Sequence, residues 1–377
     1  MMKFIDLEAQ QNFSINENIT LRDDINKRIK KVLDEGNFIQ GPEVKELEES
    51  LKKFNGSEFC ITASNGTDAL LIALMAIGIK PGDEIITTPF SFISTSETIV
   101  LLGAIPRYVD IDPKTYNIDP QKIEERITEK TKAIIPVSLY GQAADFASIN
   151  KIADKYHLPV IEDGAQSFGA EHYQKRSCNL STIGTTSFFP SKPLGCYGDG
   201  GACFTNDEEL AERMRIISLH GQTKRYFHKE IGINGRLDTI QAAILLAKLK
   251  IFDNEIFLRN QVAQRYTSAL NKIGLDSTPE ISDQNLSVYA QYTIQVEDRD
   301  SFQKKLKERN IPTSVHYPTL LYRQPAFYES SKNELKNSKY LFPNAEKICK
   351  KVVSLPMYPY LRTEDQDKII ETIKDVL

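Results

Sequence analysis

Two short segments carry residue types suited to covalent chemistry at a carbonyl. The first is Ser187-Phe-Phe-Pro-Ser-Lys192-Pro-Leu-Gly, in which Lys192 lies between a strand-like run, Thr185 to Phe189, and a turn crowded by Pro190, Pro193, Gly195, Gly198, Gly200 and Gly201. A lysine fixed at such a turn can hold its amine in place, condense with an aldehyde and then carry protons. The second is Ile161-Glu-Asp163-Gly-Ala-Gln166, which follows the apolar run Leu158-Pro-Val-Ile161. In a parallel α/β sheet the carboxyl ends of the strands face the crevice where ligands collect, so Asp163 can meet a protonated ring nitrogen. A lone lysine is more commonly a solvated surface group, and Glu-Asp pairs also cap turns. The inference therefore rests on the two segments together.

Companion residues extend the pattern. Asn65-Gly66-Thr67-Asp68 opens a predicted helix, whose free N–H groups and positive dipole end suit a phosphate, with the Thr67 and Ser187 hydroxyls as added donors. The same four residues also read as an ordinary N-cap. Phe90 and Phe92, in Thr88-Pro-Phe-Ser-Phe-Ile, follow a strand and can lay a ring on a flat ligand or fill the core. A lysine amine, a carboxylate for a ring nitrogen and a phosphate cradle are what pyridoxal 5'-phosphate requires, and the reaction class they imply is amino transfer.

Competing chemistries find little support. There is no G-x-x-x-x-G-K-[ST] loop, H-E-x-x-H helix or G-x-S-x-G elbow, and Ala165-Gln-Ser167-Phe-Gly169 misses the elbow at its first glycine. A net charge of -4 gives no global reason to expect nucleic acid or an anionic membrane, so a bound phosphate must be held locally. Cys60, Cys178, Cys196, Cys203 and Cys349 are scattered, without a C-x-x-C pair, which predicts neither a disulfide framework nor a zinc site and fits a reducing cytoplasm. The opening Met1-Met-Lys-Phe-Ile-Asp-Leu-Glu lacks a basic region followed by an apolar run, and the longest apolar stretch, near Ala69 to Ile79, is too short to span a bilayer. Neither secretion nor membrane insertion is expected.

The elements that must position these residues follow from the pattern. From about 60 to 220, short β-branched runs alternate with helical periodicity, the mark of a mostly parallel sheet covered by helices. Strands are predicted near Phe59–Thr62, Glu84–Thr88, Ile105–Val109, Ala133–Val137, Pro159–Glu162, Thr185–Phe189 and Gly201–Thr205. Helical spacing marks Leu70, Ala73, Leu74 and Ile77, a further helix covers Phe146–Tyr156, and Asp119-Pro120 reads as a helix cap. After Asp238 one long helix is expected from Thr239 to about Leu270, bridging to a region of short elements such as Tyr289–Val296 and Asp300–Arg309.

Ordered matches along nearly the whole chain resemble the DegT/StrS family of pyridoxal-phosphate-dependent nucleotide-sugar aminotransferases. They include Gly36-Asn-Phe-Ile-Gln-Gly-Pro-Glu-Val, Ser64-Asn-Gly-Thr-Asp-Ala-Leu, Tyr108-Val-Asp-Ile-Asp, Glu162-Asp163 with Gln166, Ser191-Lys192, Gly198-Asp-Gly-Gly201 and Asn234-Gly-Arg-Leu-Asp-Thr-Ile-Gln-Ala-Ala243. The resemblance implies aminotransferase fold type I, with a mostly parallel seven-stranded sheet in a large domain, residues 1–248, and a smaller α+β domain, residues 249–377. It implies Lys192 as the lysine that bonds the cofactor, Asp163 as the partner of its ring nitrogen and Gln166 beside its ring hydroxyl. Gly66, Thr67 and Ser187 match the phosphate cradle, and Phe92 the stacking aromatic. Asn234 matches an asparagine that reaches the phosphate from a neighbouring subunit, which implies a homodimer with shared active sites.

Arg236, also from the neighbour, with His316 and Tyr317 of Ser314-Val-His-Tyr-Pro318, matches residues that meet the sugar, and a guanidinium fork suits a uronate carboxylate. The implied donor is L-glutamate and the acceptor a keto-sugar nucleotide. Ile134-Ile-Pro-Val-Ser-Leu-Tyr-Gly-Gln and Ser287-Val-Tyr-Ala-Gln-Tyr-Thr are most similar to members acting on the 3-keto group of UDP-2-acetamido-2-deoxy-3-oxo-D-glucuronate, for a bacterial surface polysaccharide such as lipopolysaccharide O-antigen. A dTDP- or UDP-linked keto-6-deoxy sugar stays open, as does a non-catalytic regulatory protein of the same fold. A sugar 3-dehydratase is disfavoured because those relatives carry histidine where Lys192 stands. Lys224 and Arg225 are available for a pyrophosphate or are simply a solvated loop. Gly164 stands where the family usually has Ala or Cys, and the smaller residue is expected to loosen local packing.

Overall fold

A computed structural model describes residues 2–327, 329–330 and 342–377. Seven short strands form its centre. One ladder runs in the order Phe59–Ala63, Gly201–Thr205, Ile183–Ser187, Ile161–Asp163, and a second in the order Ile105–Tyr108, Glu84–Thr87, Thr131–Ile135. Isolated parallel bridges, Ile134 to Val160 and Val137 to Asp163, join the facing edges of the two ladders. All pairings in the second ladder are parallel, whereas Gly201–Thr205 runs antiparallel to both of its neighbours.

Strand periodicity explains how the sheet is covered on both faces. Along Phe59–Ala63 and Gly201–Thr205, Cys60, Ala202 and Phe204 pack into one core with Phe168, Phe188 and Phe252, while Ile61, Ala63 and Cys203 pack into another with Leu70, Ala73 and Leu74. Successive side chains point to opposite faces, so a short strand buried on both sides must be apolar throughout. The helix Gly66–Ala76 is correspondingly apolar around most of its circumference and lies against both ladders' cover. A third core gathers Tyr266, Tyr292, Ile294, Phe302, Leu306, Val353, Leu355, Ile369 and Ile373 around the antiparallel pair Tyr292–Gln295 and Val352–Leu355.

The predicted strands fall within a few residues of those observed, and the helix Phe146–Tyr156 matches end to end. Asp119 does cap a helix, through its bond from Gln121 N, but the helix is a single 3-10 turn, Pro120–Lys122. The long helix after Asp238 is two helices, Thr239–Leu249 and Phe252–Lys272. The break serves packing. Ile244, Ala247 and Ile251 bury against Leu21 and Ile25, whereas Phe252 and Ile256 turn into the core of the sheet. At the junction Ile251 N–H bonds to Lys248 O, three residues back, tightening the last turn. Periodicity continues through the junction, which is why the sequence reads as one helix.

Gly164 corrects the expectation of loose packing. A Cβ built there would lie 2.5 Å from Cys178 Sγ and 3.0 Å from Thr185 O, so the position is already filled by its neighbours. Cys178 supplies the bulk that a larger residue at 164 would bring. Gly164→Ala should therefore destabilise the fold by about 1–3 kcal/mol through overpacking, and Cys178→Ala in the same chain should recover part of that loss. Urea unfolding of the parent and the two variants checks this, and a Gly164→Ala protein as stable as the parent would contradict it.

Candidate active site

The carboxyl end of Ile161–Asp163 delivers Asp163 to a cavity of ≈ 670 Å³. The carboxyl is 5% exposed, and its two oxygens are held by different elements. Thr95 Oγ1 donates to Oδ2 at 2.7 Å, and the Ala165 N–H reaches Oδ1 at 3.3 Å. Burial raises its pKa, opposed by those two hydrogen bonds and by the charge of Lys192. Lys192 lines the same cavity, and burial lowers its pKa against the pull of Asp163. The two groups face one another in a poorly solvated space, which favours the neutral, nucleophilic amine more than water does.

The turn that carries Lys192 is tightly tied. Lys192 N–H bonds to Phe189 O at 2.8 Å, and Cys196 N–H to Phe188 O at 2.8 Å. A Cβ on Gly195 would lie 2.6 Å from both Phe189 O and Pro190 O, so only glycine lets the turn close. Behind it the buried Lys248 donates to Gly195 O.

The phosphate-type end is formed by the helix Gly66–Ala76. Asn65 caps it, its side chain accepting from Asp68 N at 2.8 Å, which leaves the first N–H groups at the cavity. Gly66 packs against Ser187 so closely that a Cβ would lie 2.6 Å from Ser187 Cβ. Thr67 Oγ1 meets Ser94 Oγ at 2.8 Å. This cradle, a buried carboxylate and an amine are the donor set that the phosphate, ring nitrogen and aldehyde of pyridoxal 5'-phosphate need, so the residues fit that group.

The remaining wall is polar and aromatic. Gln166 accepts from Tyr140 N at 2.8 Å and donates to the Tyr317 hydroxyl at 3.0 Å. Phe92 is 53% exposed with its ring 6.1 Å from that of Tyr317, whereas Phe90 belongs to the core. His316 lines the cavity, with Nδ1 2.8 Å from Ser354 Oγ, and Tyr140 donates its hydroxyl to His316 O.

The structure thus brings Gly66, Thr67, Phe92, Asp163, Gln166, Ser187, Lys192, His316 and Tyr317 to one cavity. Asn234 and Arg236 do not line it within a single chain. Asn234 is exposed beside Leu219, and Arg236 is partly buried with no hydrogen bond to its Nε. Sequence reasoning missed Thr95, Ser94, Tyr140 and Gln291. Thr95 was within reach, since Ser94-Thr-Ser follows the Phe90-Ser-Phe-Ile93 segment directly, but nothing local marks a threonine as the anchor of an aspartate 68 residues away. Among the described residues no His/Cys/Asp/Glu group could hold a metal, and no helix is long and apolar enough to cross a membrane.

The chain belongs to the DegT/DnrJ/EryC1/StrS aminotransferase family, whose model matches residues 20–374. Membership makes it a sugar-type aminotransferase that works with pyridoxal 5'-phosphate. It is 55% identical over 363 residues, 96% of this chain and 97% of the relative, to a UDP-2-acetamido-2-deoxy-3-oxo-D-glucuronate aminotransferase of Pseudomonas aeruginosa. It is also 45% identical to a pleiotropic regulatory protein of Geobacillus stearothermophilus, over 94% of this chain and 95% of that one. A solved structure described as NtdA from Bacillus subtilis with bound cofactor PMP superposes with a TM-score of 0.86 at 33% identity, covering 100% of this chain and 90% of that one.

Burial, with the Lys192 charge adding, pushes the His316 pKa down from 6.5 to about 4. Between those values the unfolded chain binds more protons than the folded one. The contribution of His316 is therefore complete above about pH 6.5 and is lost as pH falls through about 4. Unfolding free energies of His316→Asn should be less steep in pH than those of the parent across this window, and parallel profiles would contradict the assignment.

Proposed function

We propose that this chain transfers the amino group of L-glutamate to the 3-keto group of UDP-2-acetamido-2-deoxy-3-oxo-D-glucuronate, leaving 2-oxoglutarate. The reading is carried by the convergence of Lys192, Asp163, Gln166 and the Gly66 cradle on one cavity, and the P. aeruginosa relative supports the choice of sugar. The 45% identical regulatory protein keeps a non-catalytic reading in view. Against it, a scaffold has no use for an amine facing a buried carboxylate.

When bound, pyridoxal 5'-phosphate supplies an aldehyde and a conjugated ring that draws electrons from the substrate carbon. The protein's part is positioning and proton movement. The Gly66 and Thr67 N–H groups with the Thr67 and Ser187 hydroxyls would hold the phosphate, and Asp163, fixed by Thr95, would keep the ring nitrogen protonated. Gln166 would lie beside the ring hydroxyl and Phe92 would pack on the ring. Lys192 Nζ accepts the proton from the amino-bearing carbon of glutamate and returns one to the sugar carbon that receives the nitrogen. His316 and Tyr317 meet the sugar.

We further infer a homodimer in which Asn234 and Arg236 complete the partner's site, a support for which is that Arg236 Nε is buried without a bond in the single chain. The two joined ladders would act as one seven-stranded sheet within a large unit, residues 1–248, with 249–377 as the smaller one. A cytoplasmic enzyme supplying a lipopolysaccharide or O-antigen sugar is the setting that fits.

Lys192→Ala should fold normally yet lose turnover by at least about 10²–10⁴-fold, the usual worth of a positioned proton carrier. Mixing that variant with Arg236→Ala should restore part of the activity if sites are shared, and no restoration would contradict sharing. For the sugar, the cofactor-loaded protein is mixed with UDP-2-acetamido-3-amino-2,3-dideoxy-D-glucuronate, running that half-reaction backwards, with L-glutamate as control. Loss of the cofactor's visible band with both compounds is the expected result. Bleaching by glutamate alone would move the assignment to another keto-sugar.

A further inference from the structure

One amide in the cavity wall makes no side-chain hydrogen bond among the described residues. Gln291 stands just before the strand Tyr292–Gln295, on a segment bound to the Tyr140 loop. Ser287 Oγ donates to Gly141 O at 3.0 Å, Val288 N to the same oxygen at 2.9 Å, and Gln291 N to Tyr140 O at 3.4 Å. The contact is so close that a Cβ on Gly141 would lie 2.6 Å from Tyr289 N. Tyr140 in turn binds Gln166 and His316, so Gln291 is carried on the same frame as two residues of the cavity.

Gln166, Thr67 and Asp163 are assigned to the cofactor by the reading above, and Nδ1 of His316 is held by Ser354 Oγ, so these neighbouring groups are already engaged. The Gln291 carboxamide is not. Its Oε1 is buried without a hydrogen-bond partner, and no bond to its nitrogen is found among the described residues. Buried amide atoms are nearly always paired, so the unpaired Oε1, shielded from the cavity, and the unbonded nitrogen beside it leave an amide that can turn toward a group the chain does not supply.

We propose that Gln291 is a substrate-binding residue that meets an oxygen-bearing group beside the carbon that loses or gains the amino nitrogen. The inference rests on the function proposed above and extends it. An aminotransferase admits two unlike substrates in turn: the donor bears a carboxylate on its reacting carbon, and the sugar bears hydroxyl and amide groups on the adjacent ones. A carboxamide offers N–H donors and a carbonyl acceptor on one rotatable group, so it can serve both, whereas a guanidinium offers donors only.

The test uses the cofactor-loaded full chain with Gln291→Met and the isosteric Gln291→Glu, following each half-reaction separately and measuring cofactor affinity and melting temperature alongside. Gln291→Met should raise the half-saturating concentration of L-glutamate, of the UDP-amino sugar, or of both by about tenfold, the loss of one hydrogen bond to a charged or polar group, with cofactor affinity unchanged. Gln291→Glu tells the sources apart. Its anion repels the donor carboxylate and deepens the glutamate defect, but still accepts from a sugar hydroxyl or amide N–H.

Parental half-saturation in both half-reactions, or losses that follow reduced cofactor affinity, would overturn the proposal. If the parent itself does not react with the UDP-amino sugar, the sugar assignment fails separately. The glutamate arm then decides for Gln291, and an unchanged value overturns it.

Discussion

A carboxylate taken almost wholly out of water at the end of a strand is the constraint on which the rest of the site depends. Asp163 can stay there only if its charge is answered, because an isolated ion in a protein interior would protonate instead. The fold answers it three times, with the Thr95 hydroxyl, the Ala165 N–H and the facing amine of Lys192. Its backbone is fixed just as firmly, since Asp163 N–H bonds to Pro136 O and Ser138 N–H to Asp163 O, both at 3.0 Å, across the join between the two ladders. The site lies where the ladders meet because only there do strand ends from both sides open into one cavity.

Strand geometry then separates two adjacent acids. Glu162 and Asp163 point to opposite faces of the sheet. Asp163 enters the cavity, while Glu162 turns into the packed interior, where Ser177 Oγ, Cys178 N and Ser138 Oγ bind it at 2.6, 2.8 and 3.2 Å. Burial raises Glu162 to about 7 despite those bonds. The first acid thus pins the Ser138 and Cys178 segments beneath the site, and the second faces the ligand. Gly164 completes the arrangement, since the chain must pass the Cys178 side chain and Thr185 O at a distance that leaves no room for a Cβ while Cys178 is in place.

Much of this was legible in the sequence, for reasons that also mark the limit. Lys192, Asp163, Gly66 and Ser187 lie at strand ends or a helix start, positions that local periodicity and turn residues locate directly. Thr95 and Tyr140 act through partners far along the chain, and Gln291 reaches the cavity wall only because its segment packs on the Tyr140 loop, so no local signal distinguishes them from other polar residues. The break between Thr239–Leu249 and Phe252–Lys272 was hidden because Ile251 keeps the helical period and the same neighbours as Ile244 and Ala247, while Phe252 just after it turns into the sheet core. Gly164 was misread for a related reason: its space is set by Cys178, which the sequence places 14 residues away and the fold places in contact.

We assign Lys192, opposed by Asp163, as the amine that bonds the cofactor. Another buried amine makes the test exacting. Lys248 is also withdrawn from water, and its pKa is lowered to about 8. The direct measurement is to load the protein with pyridoxal 5'-phosphate, reduce it with borohydride and map the modified peptide by mass spectrometry. A single adduct is expected on the peptide containing Lys192, lost in Lys192→Ala and sharply reduced in Asp163→Ala. An adduct on Lys248, or no adduct at all with the parental protein, would contradict it.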